Sequence, residues 1–111
     1  MEVTNKTIGE AIVFNIDGDL TTSQSPEAES EINSILECTE CKLVVINVEN
    51  VNFIASTGLR IILAIGKRLK ASGGELVVCS MNQTTKSVFK MSGFTKLFRI
   101  FDTEQEALQQ P

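Results

Sequence analysis

Apolar positions follow two rhythms along the chain. The stretches 11–18 (AIVFNIDG), 42–48 (KLVVINV) and 75–81 (ELVVCSM) are nearly continuous apolar runs rich in Val and Ile. Such runs fit strands covered on both faces, as in the middle of a parallel sheet. A weaker stretch, EVTNKTI, precedes the first of them across Gly9 and reads as its hairpin partner. Between the strands the rhythm changes to three and four. In 26–37 (PEAESEINSILE) the apolar positions are Ala28, Ile32, Ile35 and Leu36, which share one helical face. Ser25 is the expected N-cap, with Pro26 at the first helical position and acids in the first turns. The next helix is predicted over 57–72 and is stopped by Gly73 and Gly74. Its core stripe is read as Leu59, Ile62, Leu63, Gly66 and Leu69. Ile61 and Ile65 then fall on the flank and widen the apolar surface towards solvent, the mark of a partner site. A helix over 84–93, a last strand over 97–101 and a short helix over 103–110 complete the pattern, with Thr103 near the start of that last helix. Met81, Met91, Phe89, Phe94, Phe98 and Phe101 are spaced as core side chains.

Strands alternating with helices predict an α/β fold, a small mixed, mainly parallel β-sheet flanked by helices. Nothing in residues 1–111 interrupts the pattern with a linker or repeat, so one domain is expected.

The composition narrows the functions open to such a domain. With no histidine in the chain, the usual general base and Ser-His-Asp hydrolysis are excluded. A non-enzymatic binding protein is therefore expected, with no cofactor. Cys38 and Cys41 have the C-x-x-C spacing of a redox or zinc half-site, but Cys79 is the sole further cysteine, too few for a zinc set. The pair also ends a helix, where a thioredoxin-like motif would begin one, so ordinary cysteines near a turn are expected and no metal. Gly66-Lys67 lacks the upstream spacing of a phosphate-binding loop. Asp17 and Asp19 read as turn residues. No apolar run reaches the roughly 20 residues of a membrane span, and the first residues lack the features of a signal peptide. A cytoplasmic protein with no direct membrane insertion is expected. The net charge of −4 is unevenly spread: residues 1–50 carry −8 and residues 51–111 carry +4. That balance argues against nucleic acid as a partner and permits an electrostatically oriented protein partner.

The junction between the strand and helix around residue 56 carries the sharpest functional signal. The chain leaves buried sheet through Ala55, Ser56, Thr57 and Gly58. One hydroxyl at a helix start is an ordinary cap, worth about 1 kcal/mol. Two adjacent hydroxyls exceed that need, and they precede a helix unusually rich in apolar residues. A phosphate on Ser56 would be tolerated, since a helix N-terminus favours an anion by roughly 0.3–1 kcal/mol. Burying about −2 of new charge against a partner costs several kcal/mol. A phosphate there should act on binding and leave the fold alone.

The order of elements, with GDL at 18–20, VNFIASTGLRIIL at 51–63, GGELVVCSM at 73–81 and FKMSGFTKLFRIF at 89–101, resembles the STAS domain over nearly the whole chain. It is most similar to the bacterial anti-sigma factor antagonists, which regulate transcription. The resemblance implies the STAS fold and a partner that is both anti-sigma factor and serine kinase. It implies phosphorylation at Ser56, less so at Thr57, release of the phosphorylated form, and resetting by a phosphatase. The implied docking surface comprises Asp19, Thr21, Thr22, Ser23, Ala55, Ser56, Thr57, Gly58, Arg60 and Ile61. Ala55 and Thr21 both stand where the family motif has Asp. The alternative role within the family is a non-switching scaffold subunit of a signalling complex or membrane transporter.

Overall fold

The computed structural model describes residues 1–109 and alternates strands with helices. The strands are β1 (Glu2–Ile8), β2 (Ala11–Asp17), β3 (Leu43–Asn50), β4 (Glu75–Cys79) and β5 (Ile100–Phe101). The helices are α1 (Ser25–Cys38), α2 (Ser56–Ala71), α3 (Gln83–Met91) and α4 (Glu104–Gln109). Residue 110, the end of the last predicted helix, lies outside the described residues. The sheet order follows the chain, β1-β2-β3-β4-β5, with β1 antiparallel to β2 and every other pair parallel. The hairpin turns at Gly9, whose φ of 60° suits a residue without Cβ.

Each central strand is buried on both faces, which explains its unbroken apolar run. Ile12, Phe14, Val44, Ile46, Leu76 and Val78 face the larger core with Ala28 and Ile32 of α1, Ile62 and Leu69 of α2, and Phe89 of α3. Val13, Val45, Val77 and Cys79 point the other way and meet Ala107 of α4. The three crossover helices thus share one face of the sheet and α4 covers the other. Because β2, β3 and β4 are parallel, the connections leaving them emerge at one end.

Four expectations are corrected. The buried stripe of α2 is Gly58, Ile61, Ile62, Ile65, Gly66 and Leu69, while Leu59 and Leu63 are only partly covered. The predicted stripe was one residue out of phase, because its true first member is a glycine and contributes no hydrophobicity. Ile61 and Ile65, placed on a solvent flank from sequence, are 8% and 2% exposed. Second, the strand predicted over 97–101 shrinks to its last two residues. Phe94–Lys96 forms a 3-10 turn instead, so that Phe94 stacks edge-on against Phe89 at 5.7 Å and meets Phe98 at 5.8 Å. Third, Met91 is not in the core: it ends α3 and is 88% exposed. Fourth, Ser25 does not cap α1. It is buried within the first turn and donates its hydroxyl to the Thr21 carbonyl at 2.7 Å. The Thr21 hydroxyl instead accepts the Gln24 amide at 3.3 Å.

The cysteines are all free. Cys38 ends α1 and is exposed, whereas burial pushes the Cys41 and Cys79 thiols above their ordinary range. Across the α4 face, Glu104 joins three elements. It accepts from Asn47 Nδ2 of β3 at 3.1 Å and pairs with Lys6 of β1 at 2.6 Å. The Lys6 hydrogen bond holds the Glu104 carboxyl below the usual range, opposed by partial burial and aided by Asn47. Among the described residues, no helix is long and apolar enough to cross a membrane.

Candidate functional site

Three connections meet at the carboxyl ends of the parallel strands: 18–24 after β2, 51–55 after β3 and 80–82 after β4. The first two are laced by backbone hydrogen bonds. Gly18 donates to the Asn50 carbonyl at 3.1 Å, Leu20 to Phe53 at 2.9 Å, and Ala55 to Leu20 at 2.8 Å. Leu20 and Ile54 consequently form an isolated parallel bridge, with both side chains in the core. The Asp19 carboxylate accepts from the amides of Asn52 and Phe53 at 3.0 and 3.1 Å. Sequence alone suggests a turn residue there. The structure makes it a clamp between two loops, so this carboxylate faces the neighbouring chain segment.

Asn82 secures the third connection. Its amide nitrogen donates to the Val51 carbonyl at 3.1 Å and to Asn52 Oδ1 at 2.9 Å. Its oxygen caps α3 by accepting the Thr85 amide at 2.9 Å. The loop before Ser56 is therefore held from both sides by hydrogen bonds that leave it little freedom. Neither the clamp by Asp19 nor that by Asn82 was read from sequence. Asn82 did carry a signal, as a cap-type residue three positions before Thr85 at a helix start.

Gly58 completes the frame. A Cβ added there would lie 3.0 Å from Ile54 Cγ2, 3.1 Å from Leu20 Cβ and 3.3 Å from Ser25 Oγ. The start of α2 thus packs tightly onto the start of α1 and onto the Leu20–Ile54 bridge. A side chain there would have to displace these neighbours by a few tenths of an ångström, so the glycine favours that approach, a physical reason for its place in the motif.

On this frame Ser56 is the first residue of α2 and is exposed, with Thr57 half-buried beside it. Ala55 occupies the cap position in extended conformation and has no side chain able to accept the free amides. No acidic residue lies in the first turn. Thr21 is half-buried while Thr22 and Ser23 are exposed, and the hydroxyls of Thr21 and Ser23 lie 3.3 Å apart. Arg60, one turn beyond Ser56, is exposed. The structure therefore brings Asp19, Thr21, Thr22, Ser23, Ala55, Ser56, Thr57, Gly58 and Arg60 to one end of the sheet. Of the predicted docking residues, Gly58 is buried against Leu20, Ile54 and Ser25, and the Ile61 side chain lies in the core. Sequence reasoning missed Phe53, which is 51% exposed between the Asp19 clamp and Ser56.

An open sheet with crossover helices on one face, carrying an exposed serine at a braced helix start, defines a small α/β module. The STAS domain profile matches residues 2–107, and the chain belongs to that family. The anti-sigma F factor antagonist of Paenibacillus polymyxa is 29% identical over 97 residues, covering 87% of this chain and 83% of that protein. Among solved structures, an anti-sigma factor antagonist from Mycobacterium paratuberculosis superposes with a TM-score of 0.86 at 22% identity, over 96% of this chain and 90% of that one. A sulfate transporter family protein from Wolinella succinogenes also matches, with a TM-score of 0.78 at 16% identity over 93% of this chain and 85% of that one. At such identities the structural likeness establishes the fold and leaves the activity to the site.

Proposed function

We propose that this chain is an anti-sigma factor antagonist, a regulatory binding protein of the cytoplasm and not an enzyme. In this reading, with Ser56 unmodified it binds an anti-sigma factor that is also a serine kinase, and so frees the sigma factor. Phosphorylation of Ser56 releases the antagonist, and a phosphatase restores it. The curated relative named as an antagonist supports the reading. The observation that carries it is the accessible Ser56 hydroxyl at an uncapped helix start on a braced frame. A kinase can reach that oxygen without opening the core, and a phosphate there touches the uncapped amides of α2. The energy of that contact is about 1 kcal/mol or less, too little to reorganise the fold. Desolvating a dianion under a docked partner costs several times more. Modification then acts on docking.

A second reading, a STAS scaffold without a switch in a signalling complex or at a transporter, is favoured by one feature. Ala55 and Thr21 stand at both motif positions that the family fills with Asp. One experiment separates the two readings. The purified chain is incubated with ATP and serine kinases from its source cell, and any phosphate is located by mass spectrometry. Ser56→Ala and Ser56→Asp are then compared for partner binding. Phosphate on Ser56 with loss of binding in Ser56→Asp supports the switch. Equal binding by both variants leaves the scaffold.

A further inference from the structure

The helical face of the molecule is divided by charge. Helix α1 carries Glu27, Glu29, Glu31 and Glu37 and no base, while α2 carries Arg60, Lys67, Arg68 and Lys70 and no acid. The two helices are neighbours, joined by Arg68 donating to Asn33 Oδ1 at 2.8 Å. Yet among the described residues the ion pairs are Lys6–Glu104, Lys86–Asp102 and Arg99–Glu75, and none involves either helix. Adjacent helices of opposite sign thus leave each other unneutralised. The exposed residues of α2 are Ser56, Arg60, Ala64, Lys67, Arg68, Lys70 and Ala71; Ser56, Arg60, Ala64, Lys67 and Ala71 recur every three or four positions, with Lys70 alongside and Arg68 turned towards α1. Ser56 heads this basic stripe, and Phe53 holds an exposed ring just before it.

We propose that the docking partner is acidic where it meets α2, with Arg60, Lys67 and Lys70 orienting it and Phe53 acting as the apolar anchor at the head of the stripe. This rests on the reading of Ser56 as a release switch and gives that switch its sign. A phosphate added to a surface that meets a basic partner would strengthen docking by charge attraction. Release on phosphorylation needs a partner that is acidic or apolar at that point. The unneutralised bases of α2 select the acidic alternative. The new phosphate then opposes docking twice, by repelling the partner's carboxylates and by drawing Arg60, one turn along the helix, to itself. Charges at such a rim mainly orient and accelerate encounter, whereas an aromatic side chain entering a dry pocket carries affinity. The two roles fall to different residues and can be read apart.

The test uses the full, unphosphorylated chain and, as probe, the purified serine kinase that modifies it. Binding is measured by calorimetry at about 50 and about 500 mM NaCl, which moves the screening length from roughly 14 to roughly 4 Å. The wild-type affinity should fall about tenfold or more with salt. The double variant R60E/K67E should lose about tenfold at low salt and show little salt dependence, while F53A should lose about tenfold at both salts. The control E29K/E31K on α1 should bind at least as well as wild type. Circular dichroism checks that each variant is folded, as surface positions allow. If the kinase binds wild type without salt dependence and R60E/K67E binds equally well, the acidic-partner proposal is wrong while the switch survives. If no kinase of the cell modifies or binds the chain, the switch reading fails and takes this proposal with it.

Discussion

Replacing Ser56 by Asp places one fixed negative charge where the phosphate would sit, and its effect on stability follows from the structure. Helix α2 begins with Ala55 as a cap residue that offers no side-chain acceptor, and its first turn holds no acid. An Asp at position 56 faces the positive end of the helix dipole, worth about 0.3–1 kcal/mol at low ionic strength. It also stands four residues before Arg60 in the favourable order, adding about 0.2–0.5 kcal/mol. The intrinsic helix preferences of Ser and Asp differ by a few tenths at most. The variant should therefore be more stable by about 0.5–1.5 kcal/mol. That corresponds to a melting temperature higher by roughly 2–6 °C in a domain of this size.

The assay is urea unfolding followed by far-UV circular dichroism, at about 20 and about 500 mM NaCl. The gain should shrink in high salt, since both contributions are surface interactions. It should fall by about 0.2–0.5 kcal/mol in an Arg60→Ala background. A loss of more than about 0.5 kcal/mol at low salt would refute the reasoning, because it would mean that a charge at this position disturbs the packing below it. The gain matters for function because it bounds the effect of a phosphate on the fold. An anion at this position then leaves the scaffold standing, and its consequences are confined to the surface.

Asn82→Ala should cost about 1–3 kcal/mol in the same unfolding assay, because it removes the cap of α3, leaving the Thr85 amide without its acceptor, and the bond to the Val51 carbonyl, while the Thr85 hydroxyl keeps the Asn82 backbone carbonyl. Asn82→Asp keeps the cap and should fall between. Gly66→Ala places a Cβ 2.8 Å from Phe98 Cζ and closer still to Cε1. Overpacking of about 1–3 kcal/mol should outweigh a helix-propensity gain of about 1 kcal/mol, and Phe98→Leu should relieve the loss. The Glu104 carboxyl, held low in the folded state, contributes stability above its ordinary pKa of 4.5 that disappears as pH falls through its lower folded value. Lys6→Met should therefore flatten the acid limb of a stability–pH curve below about pH 4.5, and an unchanged limb would count against the Lys6–Glu104 bond.

Much of this fold was legible because burial on both faces forces a strand to be apolar throughout. The runs around Val13, Val45 and Val77 had no polar side to hide, and their boundaries were off by one or two residues. Errors arose where a small residue does the work of a large one. Gly58 opens the buried stripe of α2, but hydrophobicity does not register it, so the predicted stripe began at Leu59 and turned Ile61 outward. The tail failed for a related reason. Phe94 and Phe98 are four residues apart, which is a helical spacing, and the chain follows it before reaching β5. The position of Ser56 at the start of a helix could be read from its neighbours. Its clamps could not, since Asp19 and Asn82 act on a loop that is 33 and 30 residues away in sequence.

The same limit applies to hydroxyls. Ser25, Ser56 and Thr85 all lie in the first turn of a helix, and that position alone does not set one apart from another; the adjacent Thr57 and the family resemblance single out Ser56. The structure separates them by what each oxygen does. Ser25 is sealed beneath Gly58 and gives its proton to the Thr21 carbonyl, and Thr85 is buried against Asn82. Removing either would break a buried hydrogen bond while its acceptor keeps a backbone donor, a loss of about 0.5–1.5 kcal/mol. Ser56 makes no such bond among the described residues and faces solvent. Its hydroxyl contributes little to the fold, which is what the proposed switch requires. The Ser25 and Thr85 hydroxyls help hold the starts of α1 and α3, so under the proposed switch Ser56 is the one of the three whose modification would spare a structural bond.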